Sequence, residues 1–149
     1  MDMQQRAVGV LIVDDEEAIR QLLSRWVEDM GHVAETAADA DEALAHLAQI
    51  PVNVAVCDVG LQGRSGVWLI HEIRRRHPGV AVVIATGLNQ MDPAVTLAPG
   101  VVAYLVKPFS YSRFAESIHR AVASASALPS SGRPLLGGVT VDGEIVLGD

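Results

Sequence analysis

The segment Val8-Gly9-Val10-Leu11-Ile12-Val13, followed by Asp14-Asp15, decides the predicted fold. An apolar run this short is typical of a strand rather than a helix, and its β-branched residues favour the same structure. A strand without polar alternation is typical of one that is buried on both faces, as in a parallel sheet covered by helices. The segment therefore predicts a central strand of an α/β sheet, with two carboxylates at its carboxyl end.

The combination of a short apolar run and an amphipathic stretch recurs along the chain. Helical spacing, N-cap residues such as Asp39 and Ser110, and stops such as Gly31 predict five helices. The fourth helix, which begins at Asp92 with Pro93 in its first position, has the weakest pattern. Five strands alternate with these helices; they are predicted at 8–13, 32–37, 52–57, 80–85 and 101–106. Five consecutive βα units indicate an α/β fold, a doubly wound parallel sheet with helices on both faces.

Length and composition restrict the class of protein. The 149 residues carry a formal charge of −7, and half of them are hydrophobic, which predicts a folded domain rather than a disordered chain. No apolar run reaches the ~20 residues of a membrane span, and the first residues do not resemble a signal peptide, so no membrane association is expected. The single cysteine, Cys57, excludes an intramolecular disulfide and indicates a reducing, cytoplasmic location. An acidic chain with 11 Lys plus Arg is also expected not to bind nucleic acid directly.

A change of composition marks the end of the predicted domain. Ser, Ala, Pro and Gly dominate residues 124–138, and Val139–Val146 resembles a β-hairpin around an Asp-Gly turn. We therefore predict one domain over 7–127, and a linker with a short β-hairpin tail over 128–149. Because an isolated hairpin is marginally stable in water, this tail is expected to dock on the domain, to pair with another chain or to begin an output module.

Polar residues collect at the predicted carboxyl ends of four strands. They are Asp14-Asp15, Asp58, Thr86 and Lys107-Pro108. Each alone has an ordinary interpretation as a helix cap or turn residue, but ligands of such sheets bind at this edge. Three carboxylates at close quarters either raise their pKa values or hold a hard cation such as Mg²⁺. An aspartate can also accept a phosphoryl group, and a metal, an ammonium and a hydroxyl would then neutralise its oxygens.

These residues, together with Tyr104 and the sequence Lys107-Pro108-Phe109, resemble the receiver domain of bacterial two-component response regulators, such as the chemotaxis receiver. The similarity extends over about 8–127. The resemblance implies a flavodoxin-like, five-stranded parallel sheet of order 2-1-3-4-5 with five helices. It also implies a cis peptide bond before Pro108.

The resemblance implies a metal site beside a phosphoryl acceptor. Asp58 would accept the phosphoryl group, and Mg²⁺, or alternatively Mn²⁺, would bind next to it. Its ligands would be Asp15, Asp58 and the backbone carbonyl of Gly60, with Asp14 acting through a water. Lys107 and Thr86 would contact the phosphoryl group. No organic cofactor is implied.

The resemblance also implies a signalling role. A sensor histidine kinase or a phosphotransfer protein would donate the phosphoryl group, and the rotamer of Tyr104 would follow Thr86. This change would alter the face formed by the fourth helix, the fifth strand and the fifth helix. A downstream protein, a linked output domain or a second copy of the chain would bind that face. The domain would not be an enzyme beyond catalysing its own phosphorylation and dephosphorylation.

The chain departs from the family pattern near the acceptor. Gln62 stands where the family usually has proline, and Ser65 where it often has aspartate. The short fourth helix ends at Ala98-Pro99-Gly100 instead of a more regular turn. Gly60 and Leu88 occupy positions that tune hydrolysis in the family, and neither side chain can orient a water. We therefore expect slow self-dephosphorylation.

Two alternatives stay open on sequence grounds. One is a binding module with the same pocket whose regulation does not depend on phosphorylation. The other is an Asp-based phosphohydrolase, which typically needs a second acid two residues after its nucleophile, where this chain has Gly60. The six aromatic residues add one further observation: four of them lie between Tyr104 and Phe114, where the switch is expected.

Overall fold

The computed structural model describes residues 7–61, 63–87 and 99–127. The strands are β1 (Gly9–Val13), β2 (Val33–Ala37), β3 (Val54–Cys57), β4 (Ala81–Thr86) and β5 (Val101–Val106). The helices are α1 (Glu17–Asp29), α2 (Ala40–Gln49), α3 (Gly66–Arg76) and α4 (Tyr111–Ala127). Several predictions fall outside the described residues. They concern Gln62, Leu88, the helix predicted to begin at Asp92 and the tail predicted over 128–149.

All five strands are parallel, in the order β2-β1-β3-β4-β5, which confirms the expected order 2-1-3-4-5. The register aligns the carboxyl ends of the inner strands: Val13 pairs with Cys57. Thr86, the last residue of β4, pairs with Val106, the last residue of β5. The residues that follow β1, β3 and β5 therefore leave the sheet at one edge, where the predicted site residues stand.

Both faces of the sheet are buried, which explains the unbroken apolar run of β1. Leu11 and Val13 pack into one core with α2 and α3, while Val10 and Ile12 pack into a second core with α1 and α4. Alternate side chains of a strand point to opposite faces, so a strand covered on both sides has no place for polar residues. No helix within the described ranges is long and apolar enough to cross a bilayer.

Short polar contacts determine where the helices begin. The carboxylate of Asp39 accepts a hydrogen bond from the Glu42 N–H at 2.8 Å, and the Ser110 hydroxyl accepts one from the Arg113 N–H at 3.2 Å. Both caps confirm the prediction for these helices. Gly31 has a φ of +89°, a left-handed conformation that suits glycine and ends α1 as expected.

The first residue of α3 packs directly against the end of β3. The Gly66 N–H donates to the Val59 carbonyl at 3.1 Å. A Cβ at position 66 would overlap the backbone carbonyl of Asp58. Glycine at this position therefore lets α3 approach Asp58, the predicted phosphoryl acceptor.

Candidate functional site

Three carboxylates meet at the carboxyl edge of the sheet. Oxygens of Asp14, Asp15 and Asp58 all lie within 4.8 Å of one another. Asp14 and Asp58 directly follow the neighbouring strands β1 and β3, and they are only 2% and 7% exposed. The expected common pocket is therefore present. Because buried like charges repel, this pocket requires compensating positive charge.

Lys107, the only lysine of the chain, supplies part of that charge. Its Nζ donates to Oδ2 of Asp14 at 2.7 Å and to Oδ2 of Asp58 at 3.3 Å. Burial alone would lower the pKa of Lys107, but the hydrogen bonds and charges of Asp14 and Asp58 outweigh burial and raise that pKa. The backbone N–H of Lys107 donates to the Thr86 carbonyl at 2.8 Å. The peptide bond between Lys107 and Pro108 is cis, as the resemblance implies.

The second oxygen of the Asp58 carboxylate is also hydrogen-bonded. Oδ1 accepts from the Thr86 hydroxyl and from the Gly60 N–H, each at 3.0 Å. Thr86 is fully buried at the end of β4. The side chains of Thr86 and Lys107, which lie at two other strand ends, are therefore both in direct contact with the Asp58 carboxylate. Gly60 borders the same carboxylate through its N–H.

Two contacts that restrain Asp14 were not predicted from the sequence. Its Oδ1 accepts from the Glu16 N–H at 2.9 Å, and its backbone carbonyl accepts from Nη1 of Arg20 at 2.7 Å. The first contact is a local turn typical of aspartate. The second joins the first turns of α1 to the strand end. A side-chain contact with a backbone carbonyl six positions earlier leaves no periodic pattern, so no signal in the sequence pointed to Arg20.

The donor set fits a divalent cation. Three carboxylates cluster here, and within the described residues the Lys107 ammonium is the cation that contacts them directly, at Asp14 and at Asp58. All of the available ligand atoms are hard oxygens, which Mg²⁺ and Mn²⁺ prefer. Within the described part of the chain, the Asp15 carboxylate has no hydrogen-bond donor, so it is available for a metal.

Tyr104 lies on β5 and is 43% exposed. Its register partner on β4 is Ile84, two residues before Thr86. Since side chains alternate along a strand, Tyr104 and Thr86 are on the same face of the sheet. The structure thus places both residues where a coupled movement is geometrically feasible, and the coupling itself stays a prediction.

Comparison with known proteins agrees with this geometry. The model of the response regulator receiver domain family matches residues 10–119, a range that contains every predicted site residue. The nitrogen assimilation regulatory protein NtrX of Azorhizobium caulinodans is 39% identical over 119 residues, which cover 78% of this chain and 26% of that protein. The chain thus spans about a quarter of the length of this relative.

Two solved structures share the fold. The CheY-like receiver domain protein of Methanospirillum hungatei has a TM-score of 0.75 and 28% identity, over 82% of this chain and 98% of that one. NtrX of Brucella abortus has a TM-score of 0.75 and 34% identity, over 82% of this chain and 28% of that one. Together with the family match over 10–119, these likenesses show that the chain belongs to the response regulator receiver domain family of two-component signal transduction.

Proposed function

We propose that Asp58 accepts a phosphoryl group from the phosphohistidine of a sensor histidine kinase or a phosphotransfer protein. One observation carries this proposal: the Asp58 carboxylate meets the Lys107 ammonium and the Thr86 hydroxyl at a single sheet edge. These are a nucleophile and two donors, the groups that phosphoryl transfer requires.

The transfer forms one bond and breaks one. A carboxylate oxygen of Asp58 forms the new P–O bond while the P–N bond to the donor histidine breaks, and its electron pair returns to the imidazole nitrogen. The product is an acyl phosphate. Lys107 and Thr86 already donate to the oxygens of Asp58, so both lie close enough to donate to the incoming phosphoryl oxygens. Catalysis of this kind depends mainly on positioning and charge neutralisation.

The acidic pocket is proposed as a Mg²⁺ site, with Mn²⁺ as an alternative ion. Asp15, Asp58 and the backbone carbonyl of Gly60 would be direct ligands, and Asp14 would act through a water. The bound ion would neutralise charge on the phosphoryl oxygens. Support comes from the three clustered carboxylates: Lys107 contacts Asp14 and Asp58, and Asp15 has no hydrogen-bond donor among the described residues.

Phosphorylation is proposed to act on a switch at β5. A new dianion on Asp58 would draw Thr86 toward it and the ring of Tyr104 inward, which would alter the face formed by β5, α4 and the helix predicted before β5. A downstream protein, a linked output domain or a second copy of the chain would bind this face in the cytoplasm. The support is the shared face of Thr86 and Tyr104 and the exposure of the Tyr104 ring.

Mass spectrometry tests the proposal. Incubation with phosphoramidate and MgCl₂ should add one phosphoryl group to the chain, and chelation of the metal should prevent the addition. Asp58→Asn should abolish it. Asp39→Asn, which changes a helix cap outside the pocket, should be labelled like the unaltered protein. Equal labelling of Asp58→Asn and the unaltered chain would refute the proposal.

A further inference from the structure

An aromatic cluster joins α1 to the segment that follows Lys107. The indole of Trp26 lies 6.5 Å from the ring of Phe109, 5.4 Å from Tyr111 and 5.5 Å from Phe114, between ring centroids. Phe109 and Phe114 stack on each other at 6.1 Å with an interplanar angle of 10°. Four of the six aromatic residues of the chain therefore form one cluster, which we call the Trp26 cluster.

The Trp26 cluster holds the chain two residues beyond the ammonium that contacts Asp14 and Asp58. Lys107 and Phe109 are joined through Pro108, whose ring fixes its own φ. Two residues span at most about 7 Å, so a displacement of Phe109 is transmitted to the backbone of Lys107. On its other side, the backbone N–H of Lys107 donates to the Thr86 carbonyl at 2.8 Å, which ties Lys107 to the end of β4.

The contacts of Trp26 distinguish it from an ordinary core residue. Its neighbour Val27 is fully buried, whereas Trp26 is only half-buried and faces rings that all come from the segment after β5. The edge-to-face contact with Tyr111, at 81°, has a specific geometry that an aliphatic side chain cannot reproduce. Trp26 thus makes directional contacts with the Lys107 segment in addition to covering apolar surface.

From these contacts we infer that Trp26 is a positioning residue for phosphoryl transfer: through Phe109 it keeps the Lys107 ammonium on the Asp14 and Asp58 carboxylates. This inference rests on the proposed function, because it assigns Lys107 a part in the transfer. It predicts that loss of the indole frees the ammonium and slows labelling of Asp58. A long side chain such as lysine has many rotamers, so a fixed ammonium depends on a fixed backbone.

The experiment uses the full chain and the fact that Lys107 is its only lysine. Acylation of the Lys107 amine by an N-hydroxysuccinimide ester, measured on its peptide by mass spectrometry, reports how firmly the ammonium is held. The rate of Asp58 labelling by phosphoramidate reports its effect on transfer. Three variants are compared at one pH: Trp26→Ala, Trp26→Phe and, as a matched core control on the same helix, Val27→Ala. Circular dichroism confirms folding. If Trp26→Ala does not fold, Trp26→Phe is compared with Val27→Ala: it should still acylate faster and label more slowly, and equal rates would overturn the inference.

Trp26→Ala should acylate at Lys107 severalfold faster and label Asp58 roughly 10- to 100-fold more slowly. Trp26→Phe should recover part of both rates, and Val27→Ala should match the unaltered chain. The inference would be overturned if Trp26→Ala and Val27→Ala had the same rate of Lys107 acylation or the same rate of Asp58 labelling. It would also be overturned if Trp26→Phe recovered neither the acylation rate nor the labelling rate of the unaltered chain in part. If the unaltered chain is not labelled, the proposed function fails and the role of Trp26 in transfer fails with it; acylation then shows separately whether Trp26 holds the ammonium.

Discussion

The ammonium of Lys107 donates to Oδ2 of Asp14 across 2.7 Å, although 93 positions separate the two residues in the chain. This contact is shorter than the 3.3 Å contact of Lys107 with Asp58. Lys107 is therefore paired mainly with the carboxylate that is not the proposed acceptor. The pairing compensates the nearly buried charge of Asp14. The contact with Asp58 is the longer one, so under the proposed function the ammonium would move from the Asp58 carboxylate to an incoming phosphoryl oxygen.

Removal of Lys107 should destabilise the domain. Lys107→Met leaves the buried carboxylates of Asp14 and Asp58 without their ammonium, and we expect the free energy of unfolding to fall by roughly 1–3 kcal/mol. The loss should become smaller when Mg²⁺ is added, because a divalent cation compensates the same charges. Urea denaturation with chelator and with MgCl₂ measures both effects.

Arg120→Met serves as the control for Lys107→Met, since Arg120 pairs with Glu116 at 3.8 Å on the surface. Exposed pairs of this kind contribute about 0–1 kcal/mol. A loss in Lys107→Met no larger than in Arg120→Met, or one that Mg²⁺ leaves unchanged, would contradict the assigned role of Lys107.

The response of Tyr104 to phosphorylation should depend on the Thr86 hydroxyl. The chain has two tyrosines, so incorporation of fluorotyrosine gives two ¹⁹F signals, which Tyr111→Phe assigns. Phosphorylation of Asp58 should shift the ¹⁹F signal of Tyr104, because the exposed Tyr104 ring moves inward. Thr86→Ala should abolish that shift, whereas Thr86→Ser, which keeps the hydroxyl, should retain it. If phosphorylated Thr86→Ala showed the full shift of the Tyr104 signal, the movement of Tyr104 would not depend on the Thr86 hydroxyl.

The stability of the domain should decrease in mild acid because of His32. Burial lowers the pKa of His32 below its ordinary value of 6.5, and the nearby charge of His119 lowers it further. Nδ1 of His32 also accepts the Val8 N–H at 3.2 Å, which requires the unprotonated nitrogen. His32 therefore binds a proton more tightly in the unfolded chain than in the folded domain. Its contribution to the free energy of unfolding is complete above pH 6.5 and declines as the pH falls below that value.

Denaturation between pH 8 and pH 5 checks this dependence. His32→Asn, whose carbonyl oxygen can accept the Val8 N–H, should lose less stability over this range than the unaltered chain. His71→Asn, at an exposed position of α3, should follow the unaltered chain. Identical pH profiles of His32→Asn and the unaltered chain would show that His32 does not cause the decline.

The phosphoryl group on Asp58 should be long-lived. Gly60 borders the acceptor through its N–H and has no side chain that could orient an attacking water. Gly60→Gln supplies an amide at this position and should shorten the half-life of the acyl phosphate severalfold. The decay of labelled protein after removal of the donor gives the half-life. An unchanged or longer half-life in Gly60→Gln would contradict this explanation; Leu88, the other position expected to tune hydrolysis, lies outside the described residues.

Local chemistry made much of the fold predictable from the sequence. The apolar run of β1 and the caps at Asp39 and Ser110 depend on neighbouring residues alone, and all three are present. The sequence of β2 is less apolar than that of β1, because β2 lies at the sheet edge and exposes Val33. A half-exposed strand carries less apolar signal than a buried one.

The sequence indicated which residues form the site, but it indicated fewer of the contacts that hold those residues in place. Parallel strands bring Asp14, Asp58 and Lys107 to one edge, so their proximity followed from the predicted topology. The contacts of Arg20 with the Asp14 carbonyl and of Trp26 with Phe109 depend on how α1 packs against β1 and α4. Helix packing places these side chains together without any shared spacing in the sequence, so no motif indicated them.

The position of the acyl phosphate tests the central claim most directly. The protein is labelled with phosphoramidate and Mg²⁺, then reduced with borohydride, which converts a phosphorylated aspartate to homoserine, and the altered residue is located by tandem mass spectrometry. We predict homoserine at position 58, with none at positions 14 and 15. Homoserine at position 14 or 15, or its absence from a protein that carries the label, would contradict the assignment of Asp58 as the acceptor.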